Sequence, residues 1–215
     1  MKVLQKFAPV AAALALAAGL VAGIAGAANA ADAGYPDKAP VAESLTEESF
    51  DAVAAEASSA ASAFAKKAGK AGQAGDRAYG VPASVTAAQA ILESGWGRST
   101  LASKSNNYFG IKCVNKKPGP IAKSCKAYRT KEYVNGKPVY VTAYFRVYAN
   151  MSDSFKDHAL FLKSNSRYKA CFDVKDNSSK FAQCLQSKGY ATDPNYAKTL
   201  ISLMKTYKLT QYDVR

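Results

Sequence analysis

Residues 88–97 read Ala-Gln-Ala-Ile-Leu-Glu-Ser-Gly-Trp-Gly, and this segment restricts the architecture more than any other part of the chain. Pro82 lies shortly before it, at a place suited to the first turn of a helix. Apolar side chains then recur at helical spacing until Gly95 and Gly97, either of which can end a helix in a left-handed cap. The sequence therefore predicts a helix that begins near Pro82 and ends at one of these two glycines.

Glu93 is the acidic residue of this segment, and it lies where the helix is expected to stop, beside Trp96, the chain's only tryptophan. A carboxyl group at a helix C-terminus meets the negative end of the helix dipole, and partial burial also disfavours its charged form. Both effects raise the pKa of the carboxyl, as a general acid near neutral pH requires. From the residues alone, a helix-capping Glu beside a core Trp is the alternative interpretation.

The composition describes a basic chain with enough apolar residues for one ordinary domain. The 215 residues include 48% hydrophobic types, and 29 Lys and Arg against 16 Asp and Glu give a formal net charge of +13. That apolar fraction excludes wholesale disorder, and a single His excludes His-rich metal sites and phosphorelays of several histidines. The positive charge predicts an anionic partner, which is a nucleic acid, a membrane surface or an acidic polymer.

The first thirty residues have the pattern of a secretory signal peptide. Two lysines precede an uncharged run at 7–28, which ends in Ala28-Asn29-Ala30. We expect cleavage near Ala30, and an uncleaved membrane anchor is the alternative. Residues 31–63 follow as an Ala/Ser/Glu-rich flexible arm passing into a weak helix. This arm has one basic and seven acidic residues, whereas residues 64–215 have 26 basic and nine acidic ones.

Export affects the interpretation of the four cysteines, because outside the cytoplasm four cysteines usually form two disulfides. Among the three possible connectivities we favour the two local pairs, Cys113–Cys125 and Cys171–Cys184. Each would close a loop of about a dozen residues and contribute about 2–4 kcal/mol to stability. The sequence has no Cys-x-x-Cys pair, which argues against zinc binding and thioredoxin-like chemistry.

A β-rich region is predicted at residues 128–148, where Asn135-Gly136 is a strong type I′ hairpin signal. The second strand alternates aliphatic residues with a face that includes Tyr140, Tyr144 and Tyr148. An ordinary exposed sheet face is the favoured interpretation of these tyrosines, and a surface that stacks on sugar rings is the alternative. Helical patterns lie on both sides, with Ser152 and Asp193 as expected N-caps. Helices, a β lobe and further helices in this order predict the α+β class.

Five ordered blocks resemble those of one enzyme family. They are residues 88–97, 105–112 (Ser-Asn-Asn-Tyr-Phe-Gly-Ile-Lys), 145–148 (Phe-Arg-Val-Tyr), 154–158 (Ser-Phe-Lys-Asp-His) and 189–197 (Gly-Tyr-Ala-Thr-Asp-Pro-Asn-Tyr-Ala). They resemble the N-acetylglucosaminidase family of peptidoglycan hydrolases, glycoside hydrolase family 73, which includes a flagellar muramidase-like domain and many autolysins. The cysteine loop at 113–125 resembles the family's secreted actinobacterial branch. The resemblance implies a catalytic domain at 64–215 with a lysozyme-like α+β fold, in which a groove separates a helical lobe from a β-hairpin lobe.

The resemblance also implies which residues perform the chemistry. Glu93 matches the family's general acid, and Glu132, just before the predicted hairpin turn, matches the position of its second carboxylate. Glu132 is also the only acidic residue between Glu93 and Asp153, and glycoside hydrolysis uses two carboxyl groups. An exposed strand Glu is the alternative for Glu132. Tyr190 matches a tyrosine that reaches the groove near the acid, and a buried Tyr under a helix start is its alternative.

Several other residues are candidates for binding the substrate or supporting the site. Trp96 is expected either in the core or as a platform for a sugar ring. Asn107 and Phe109 are expected to line the groove and bind substrate, unless Asn107 simply belongs to a turn. His158 is expected to be solvated or to support another group, and not to be catalytic.

The implied reaction is hydrolysis of the β-1,4 bond after N-acetylglucosamine by a secreted or wall-associated endo-acting monomer, with no cofactor and no metal. The expected partner is the anionic peptidoglycan, not a nucleic acid, and membrane contact is expected only through the signal peptide. A muramidase or lytic transglycosylase on the same glycan is one alternative. A non-catalytic wall-binding module is another. The residues leave open an inverting, a retaining or a substrate-assisted outcome.

Overall fold

The computed structural model describes residues 47–134 and 137–214, with side chains at 58–130 and 140–214. These residues form six α-helices: α1 (Glu47–Tyr79), α2 (Ala83–Ser94), α3 (Thr100–Ser105), α4 (Met151–Ser164), α5 (Ser178–Ser187) and α6 (Tyr196–Thr206). Two strands, β1 (Ser124–Val134) and β2 (Lys137–Val147), and two 3-10 helices, Ser166–Val174 and Leu209–Tyr212, complete the described elements. The predicted signal peptide and the Asn135-Gly136 turn lie outside the described residues.

The central helix α2 begins and ends as predicted. Pro82 occupies its N-cap position, and Gly95 ends it in the left-handed conformation at φ 55°, with its N–H donating to the Ile91 carbonyl. Nearly all of α2 is buried, because small apolar side chains from Ala83 onward let it pass through the centre of the helical lobe. It packs against α1, α5 and α6 and the final 3-10 helix. Glu93, one residue before the end of α2, is one of the few residues of this helix that are only partly buried.

The predicted hairpin is confirmed, with β1 and β2 paired antiparallel from Ser124↔Val147 to Val134↔Lys137. Its first strand begins four residues earlier than residue 128, because Cys125 ties this segment to Cys113. Tyr148 corrects the expectation of a uniformly exposed tyrosine face. This residue follows the end of β2 and is 2% exposed, since the chain turns there into the helical lobe. The α+β prediction, with a helical lobe and a hairpin lobe, is confirmed.

Helix α1 is 33 residues long and continuous, and the predicted boundary between arm and domain, at residue 63, falls inside it. Among the side chains described from residue 58 onward, the first buried one in α1 is Ala65, followed by Ala68 and Ala71 on the face toward the core. These small residues let α1 approach both α2 and α4. The C-terminal part of α1, from Ala65 onward, therefore belongs to the core of the helical lobe.

Both predicted disulfides are present, Cys113–Cys125 in the hairpin lobe and Cys171–Cys184 in the helical lobe. Two expected N-caps are wrong by two residues. Asn150, not Ser152, caps α4 through its side chain. Asn195 precedes α6 at the N-cap position, while Asp193 instead accepts a hydrogen bond from the Asn195 N–H at 2.8 Å and shapes the preceding turn. Within residues 47–134 and 137–214, no helix has the length and apolar character needed to span a membrane.

Candidate active site

Three successive residues after α2 have left-handed backbone conformations and form a tight turn. Glu93 lies in the last turn of α2, just before them. Gly95, Trp96 and Gly97 have φ values of 55°, 61° and 75°. Left-handed backbone is easy for glycine and strained for tryptophan, so the turn depends on its neighbours. The buried Ser94 hydroxyl accepts a hydrogen bond from the Gly97 N–H at 2.8 Å and fixes the turn. Gly97 also lacks room for a side chain, because a Cβ there would lie 2.4 Å from the Phe64 ring.

Glu93 has the electrostatic character of a general acid. Burial raises the pKa of its carboxyl from 4.5 to about 7, and a hydrogen bond from the Tyr196 hydroxyl opposes part of this rise. At neutral pH the protonated and ionised forms of Glu93 are therefore both well populated. The sequence prediction of a raised pKa at the end of α2 agrees with this environment, and desolvation is its main cause.

Tyr196, the first residue of α6, holds Glu93 in place. Its ring is 2% exposed, and its hydroxyl accepts a hydrogen bond from Gln89 Nε2 at 2.9 Å. Gln89 lies one turn before Glu93 on α2 and is fully buried. Because the Gln89 amide donates to the Tyr196 oxygen, the Tyr196 proton is directed toward Glu93. Sequence analysis missed both residues, although they stand in two of the five family-like blocks.

Tyr190 lies next to this pair, as its proposed role near the acid requires. Its ring stacks on Tyr196 with centroids 5.5 Å apart, and its hydroxyl is 3.0 Å from His158 Nε2. Burial raises the pKa of Tyr190 well above its ordinary value, and the neighbouring Tyr196 and Glu93 raise it further. Tyr190 therefore stays protonated, and the structure brings it together with Glu93.

His158 corrects the expectation of a solvated histidine, because it is 1% exposed. Its ring stacks on Phe109 with centroids 4.0 Å apart, and Nε2 faces the Tyr190 hydroxyl. Burial lowers the pKa of His158 to about 3, so the imidazole is neutral at physiological pH. Nδ1 is buried without a hydrogen-bond partner among the described residues. The second part of the expectation, support of another group, fits this position beneath Tyr190.

The three predicted substrate-binding residues have different surroundings. Phe109 is half-buried, since one side of its ring packs on His158 and on Phe155, the latter with centroids 5.0 Å apart. Trp96 is also half-buried and meets Tyr207 edge to face at 5.1 Å. Asn107 is 1% exposed, so the prediction that it lines the groove is wrong and the alternative of a turn applies.

The Asn107 amide is occupied by the backbone of the loop that leads to the hairpin. Its Nδ2 donates to the carbonyls of Ile111 at 3.0 Å and Arg146 at 2.9 Å. Its Oδ1 accepts from the Ile111 N–H at 3.1 Å. The side chain therefore fastens the loop to β2 and has no polar group left for a substrate.

A buried ion pair anchors the root of the hairpin, and sequence analysis did not find it. Arg146 Nη1 lies 2.6 Å from Asp157 Oδ2, and the Tyr148 hydroxyl donates to the same oxygen at 2.6 Å. Asp157 is 1% exposed, so its charge is stabilised almost entirely by these two partners. Nearer the middle of β1, the Tyr128 and Ser105 hydroxyls are 2.6 Å apart. The hairpin is thus fixed to the helical lobe at its base.

Glu132 lies in β1 and pairs with Val139 of β2, close to the hairpin turn. Its side chain lies outside the described ones, so its catalytic role stays a prediction. Among the residues that are described, no group of three His, Cys, Asp or Glu could hold a metal ion.

Comparison with known proteins identifies relatives of this arrangement. The family model Glucosaminidase (mannosyl-glycoprotein endo-beta-N-acetylglucosaminidase) matches residues 69–209. Peptidoglycan hydrolase FlgJ of Pseudomonas aeruginosa is 40% identical over 136 residues, which are 60% of this chain and 33% of that protein. Exo-glucosaminidase LytG of Bacillus subtilis is 40% identical over 140 residues, 63% of this chain and 47% of that protein. The chain thus spans well under two thirds of the length of these curated relatives.

Solved structures agree with the described fold. The catalytic domain of the autolysin Auto from Listeria monocytogenes has a TM-score of 0.63 at 33% identity, covering 81% of this chain and 100% of that one. A C-terminally truncated glycoside hydrolase domain of FlgJ from Salmonella typhimurium has a TM-score of 0.56 at 35% identity, covering 69% and 97%. These matches confirm the predicted lysozyme-like arrangement.

Proposed function

The chain belongs to the glucosaminidase family, glycoside hydrolase family 73, and on that premise we propose that it cleaves the β-1,4 bond after N-acetylglucosamine in peptidoglycan. The observation that carries the proposal is the environment of Glu93, whose pKa is raised to about 7 at the end of α2. A carboxyl group with that pKa holds a proton at neutral pH and can give it to the leaving glycosidic oxygen. Glu93 is therefore the proposed general acid.

Glu132 is the proposed second carboxylate. It lies in β1, paired with Val139 close to the hairpin turn, which is the position that the family resemblance gives to the second carboxylate. A carboxylate there would activate water or stabilise positive charge on the sugar, and its separation from Glu93 would determine the stereochemical outcome.

Tyr190 is proposed to donate a hydrogen bond to the substrate's acetamido group or to orient a carboxylate. Because its pKa is raised well above the ordinary value, its hydroxyl remains a hydrogen-bond donor throughout the physiological pH range. If the acetamido group serves as the nucleophile, a donor beside it would orient the group for attack. The neutral His158 ring, with Nε2 3.0 Å from the Tyr190 hydroxyl, helps to hold that hydroxyl in position.

We assign this activity to the space outside the cytoplasm. The predicted signal peptide supports this location, and so do the two disulfides, which persist in oxidising compartments. The anionic wall polymer then attracts the basic catalytic segment, an attraction that weakens as salt increases. We favour an endo mode of cleavage, and the relative named exo-glucosaminidase represents the other mode.

Product analysis tests the proposal. The chain lacking residues 1–30 is incubated with purified peptidoglycan, and the soluble products are identified by mass spectrometry. We expect new reducing ends on N-acetylglucosamine and, for an endo mode, fragments of many lengths. Reducing-end N-acetylmuramic acid would instead identify a muramidase, and 1,6-anhydromuramic ends a lytic transglycosylase. Either result would overturn the proposed bond specificity.

Two substitutions test the assigned roles in the same assay. We expect Glu93→Gln to lower the rate by about 10²–10⁴-fold, because general acid catalysis contributes about that much. Asp173→Asn, which neutralises an exposed carboxylate on the 3-10 helix Ser166–Val174, should leave the rate unchanged and serves as the matched control. A folded Glu93→Gln protein that still clears cell walls at the wild-type rate would leave only a wall-binding role. Glu132→Gln at the wild-type rate would remove Glu132 from the mechanism.

A further inference from the structure

A recess of about 260 Å³ opens between α1, the end of α6 and the 3-10 helix Leu209–Tyr212, and Glu93 does not line it. Two lysines, Lys66 and Lys208, contribute to its wall together with the rings of Tyr207 and Tyr212. The recess is close to the lower size limit of small-molecule sites, about 300 Å³, and is therefore suited to the end of a chain rather than to a folded partner.

The chemistry of the recess favours an organic anion. Both lysines are exposed, and neither has an ion-pair partner among the residues that the structure describes. Tyr207 and Tyr212 add half-buried rings whose faces accept aliphatic groups. Two cations beside apolar rings match a carboxylate carried on a short aliphatic chain, whereas a neutral sugar would leave both charges unused.

The recess is built from backbone held in fixed positions. Tyr212 lies directly against α1 because Gly69 has no side chain there, and a Cβ at Gly69 would come within 2.2 Å of the ring. Gln73 Nε2 donates to the Tyr212 carbonyl at 3.2 Å. Lys208 takes the left-handed conformation at φ 50°, and the Gln211 amide donates to its carbonyl at 2.8 Å. These contacts place the lysine at the rim without needing a ligand.

An aromatic contact joins the recess to the catalytic segment. Tyr207, which lines the recess, meets Trp96 edge to face at 5.1 Å, and Trp96 is three residues from Glu93. A glycan strand bound at Glu93 carries short peptides on alternate sugars, and these stem peptides contain free carboxylates. The contact through Tyr207 and Trp96 leads from the recess to the end of α2, so a peptide attached to a sugar near the scissile bond is the candidate ligand.

We propose that Lys66 and Lys208 bind the carboxylates of a peptidoglycan stem peptide while its glycan lies at Glu93. This inference rests on the proposed function, since it requires a peptidoglycan substrate. The contact would select glycan that still carries its peptides. Its effect would be on substrate binding, and so on KM, because the recess holds no group that reaches the reacting atoms.

The test compares two substrates and two double variants. One substrate is soluble glycan with its stem peptides, and the other is the same glycan from which an amidase has removed them. The variant Lys66→Gln/Lys208→Gln removes both charges of the recess. Lys180→Gln/Lys188→Gln removes two exposed lysines of α5 and its C-terminus, and serves as the matched control because the net charge is the same.

We expect the wild-type protein and the control to have a KM about three- to tenfold lower on peptide-bearing glycan, a gain typical of two exposed ion pairs. The recess variant should lose this difference and keep its kcat, with the rate on stripped glycan unchanged. Glycan whose stem carboxylates have been converted to amides should behave like stripped glycan, which separates charge from peptide bulk.

The outcomes separate this inference from the proposed function. Wild-type cleavage of both substrates with equal KM, or a difference that persists in the recess variant, would overturn the peptide site and leave the glucosaminidase proposal intact. Failure of the wild-type protein to cleave either glycan would overturn the proposed function itself. A difference that emerges only in a chain beginning at residue 47 would assign the recess to the acidic arm, and would also overturn the inference.

Discussion

The two proposed catalytic carboxyl groups are held by very different parts of the molecule. Glu93 lies at the end of a helix that is almost entirely buried, and Gln89, Tyr196 and Tyr190 lie close to it. Glu132 lies near the tip of a two-stranded ribbon whose described contacts with the helical lobe are close to its base, at Tyr128 and Arg146. One carboxyl is therefore fixed in a preformed environment, while the other depends on how firmly the ribbon is anchored.

This difference indicates a division of tasks between the lobes. The helical lobe sets the pKa of the acid, because desolvation inside a packed core requires neighbours that do not move. We expect the ribbon, whose described contacts with the helical lobe are at Tyr128 and Arg146, to change its distance from the acid as a substrate enters. The comparison predicts that substitutions at the base of the ribbon lower the free energy of unfolding strongly, whereas those near its tip have little effect on it. It also predicts that the surroundings of Glu93 affect stability through the protonation of its carboxyl group.

The largest effect is expected at the base of the ribbon. Arg146→Met leaves the buried Asp157 carboxylate without its cation, and such a change costs about 3–5 kcal/mol of unfolding free energy. Chemical denaturation measures it. Arg129→Met, which removes an exposed arginine stacked 4.7 Å from Tyr140 nearer the tip, should cost no more than about 1 kcal/mol.

A double variant shows whether the buried charge is the cause. Arg146→Met/Asp157→Leu removes both partners, and it should recover much of the stability lost in Arg146→Met because no uncompensated charge remains. Equal losses from Arg146→Met and Arg129→Met would contradict the idea that the ribbon is anchored at its base.

Each lobe contains one disulfide, so the effect of removing a disulfide can also be compared between the two lobes. Replacing either pair with alanines should lower the free energy of unfolding by about 2–4 kcal/mol. We expect the larger loss for Cys171–Cys184, because Cys171 is completely buried and its replacement also leaves a cavity in the helical lobe. Removal of Cys113–Cys125 should increase hydrogen exchange mainly in β1 and β2.

Hydrogen-exchange rates of individual amides show whether the hairpin lobe and the helical lobe unfold separately or together. If loss of Cys113–Cys125 increased exchange in α2 and α5 as strongly as in the strands, the two lobes would unfold as one unit. The comparison between a rigid lobe and an adjustable ribbon would then be wrong.

A smaller effect follows from the raised pKa of Glu93. The folded protein holds this proton more tightly than the unfolded chain, so the resulting stabilisation is complete below about pH 4.5 and is lost as pH rises through about 7. We expect the wild-type protein to lose about 1–2 kcal/mol over this window relative to Glu93→Gln, after allowance for partial solvent exposure. Denaturation of both proteins at several pH values measures the difference. Parallel pH curves for the two proteins would show that the core does not perturb Glu93.

The smallest effect is expected from His158→Phe. The ring keeps its stacking on Phe109 but no longer contacts the Tyr190 hydroxyl, a hydrogen bond worth about 1 kcal/mol. We expect kcat to fall by about three- to tenfold with KM nearly constant. Because His158 is neutral near physiological pH, the shape of the pH profile between pH 5 and 8 should not change. An unchanged kcat would mean that Tyr190 is positioned without His158.

Features with short-range causes were predictable from the sequence. The end of α2 at Gly95 and the hairpin around Asn135-Gly136 follow from the backbone preferences of one or two residues. The pairing of Cys113 with Cys125 joins residues only 12 apart in the chain. The direction of the pKa shift at Glu93 was predictable as well, because the apolar residues before it on α2 indicate burial, and burial is the main cause of the shift.

Features that depend on distant partners were not predictable. His158 meets Tyr190 across 32 residues, and the Asn107 amide reaches Arg146 across 39. Nothing near His158 in sequence indicates a buried aromatic site, so an exposed helix face was the natural expectation. Asn107 was likewise misassigned because its partners belong to the far side of the hairpin.

The unbroken course of α1 determines how far the domain stands from whatever precedes it. Among its described side chains, those at 58–64 are exposed or half-buried, and Ala65 is the first that is buried. At about 1.5 Å per residue, these seven residues extend about 10 Å along the helix axis before the core begins. A continuous helix over this distance acts as a short, stiff spacer between the core and the residues before it. Removing two of its turns would change that spacing and leave the chemistry at Glu93 intact.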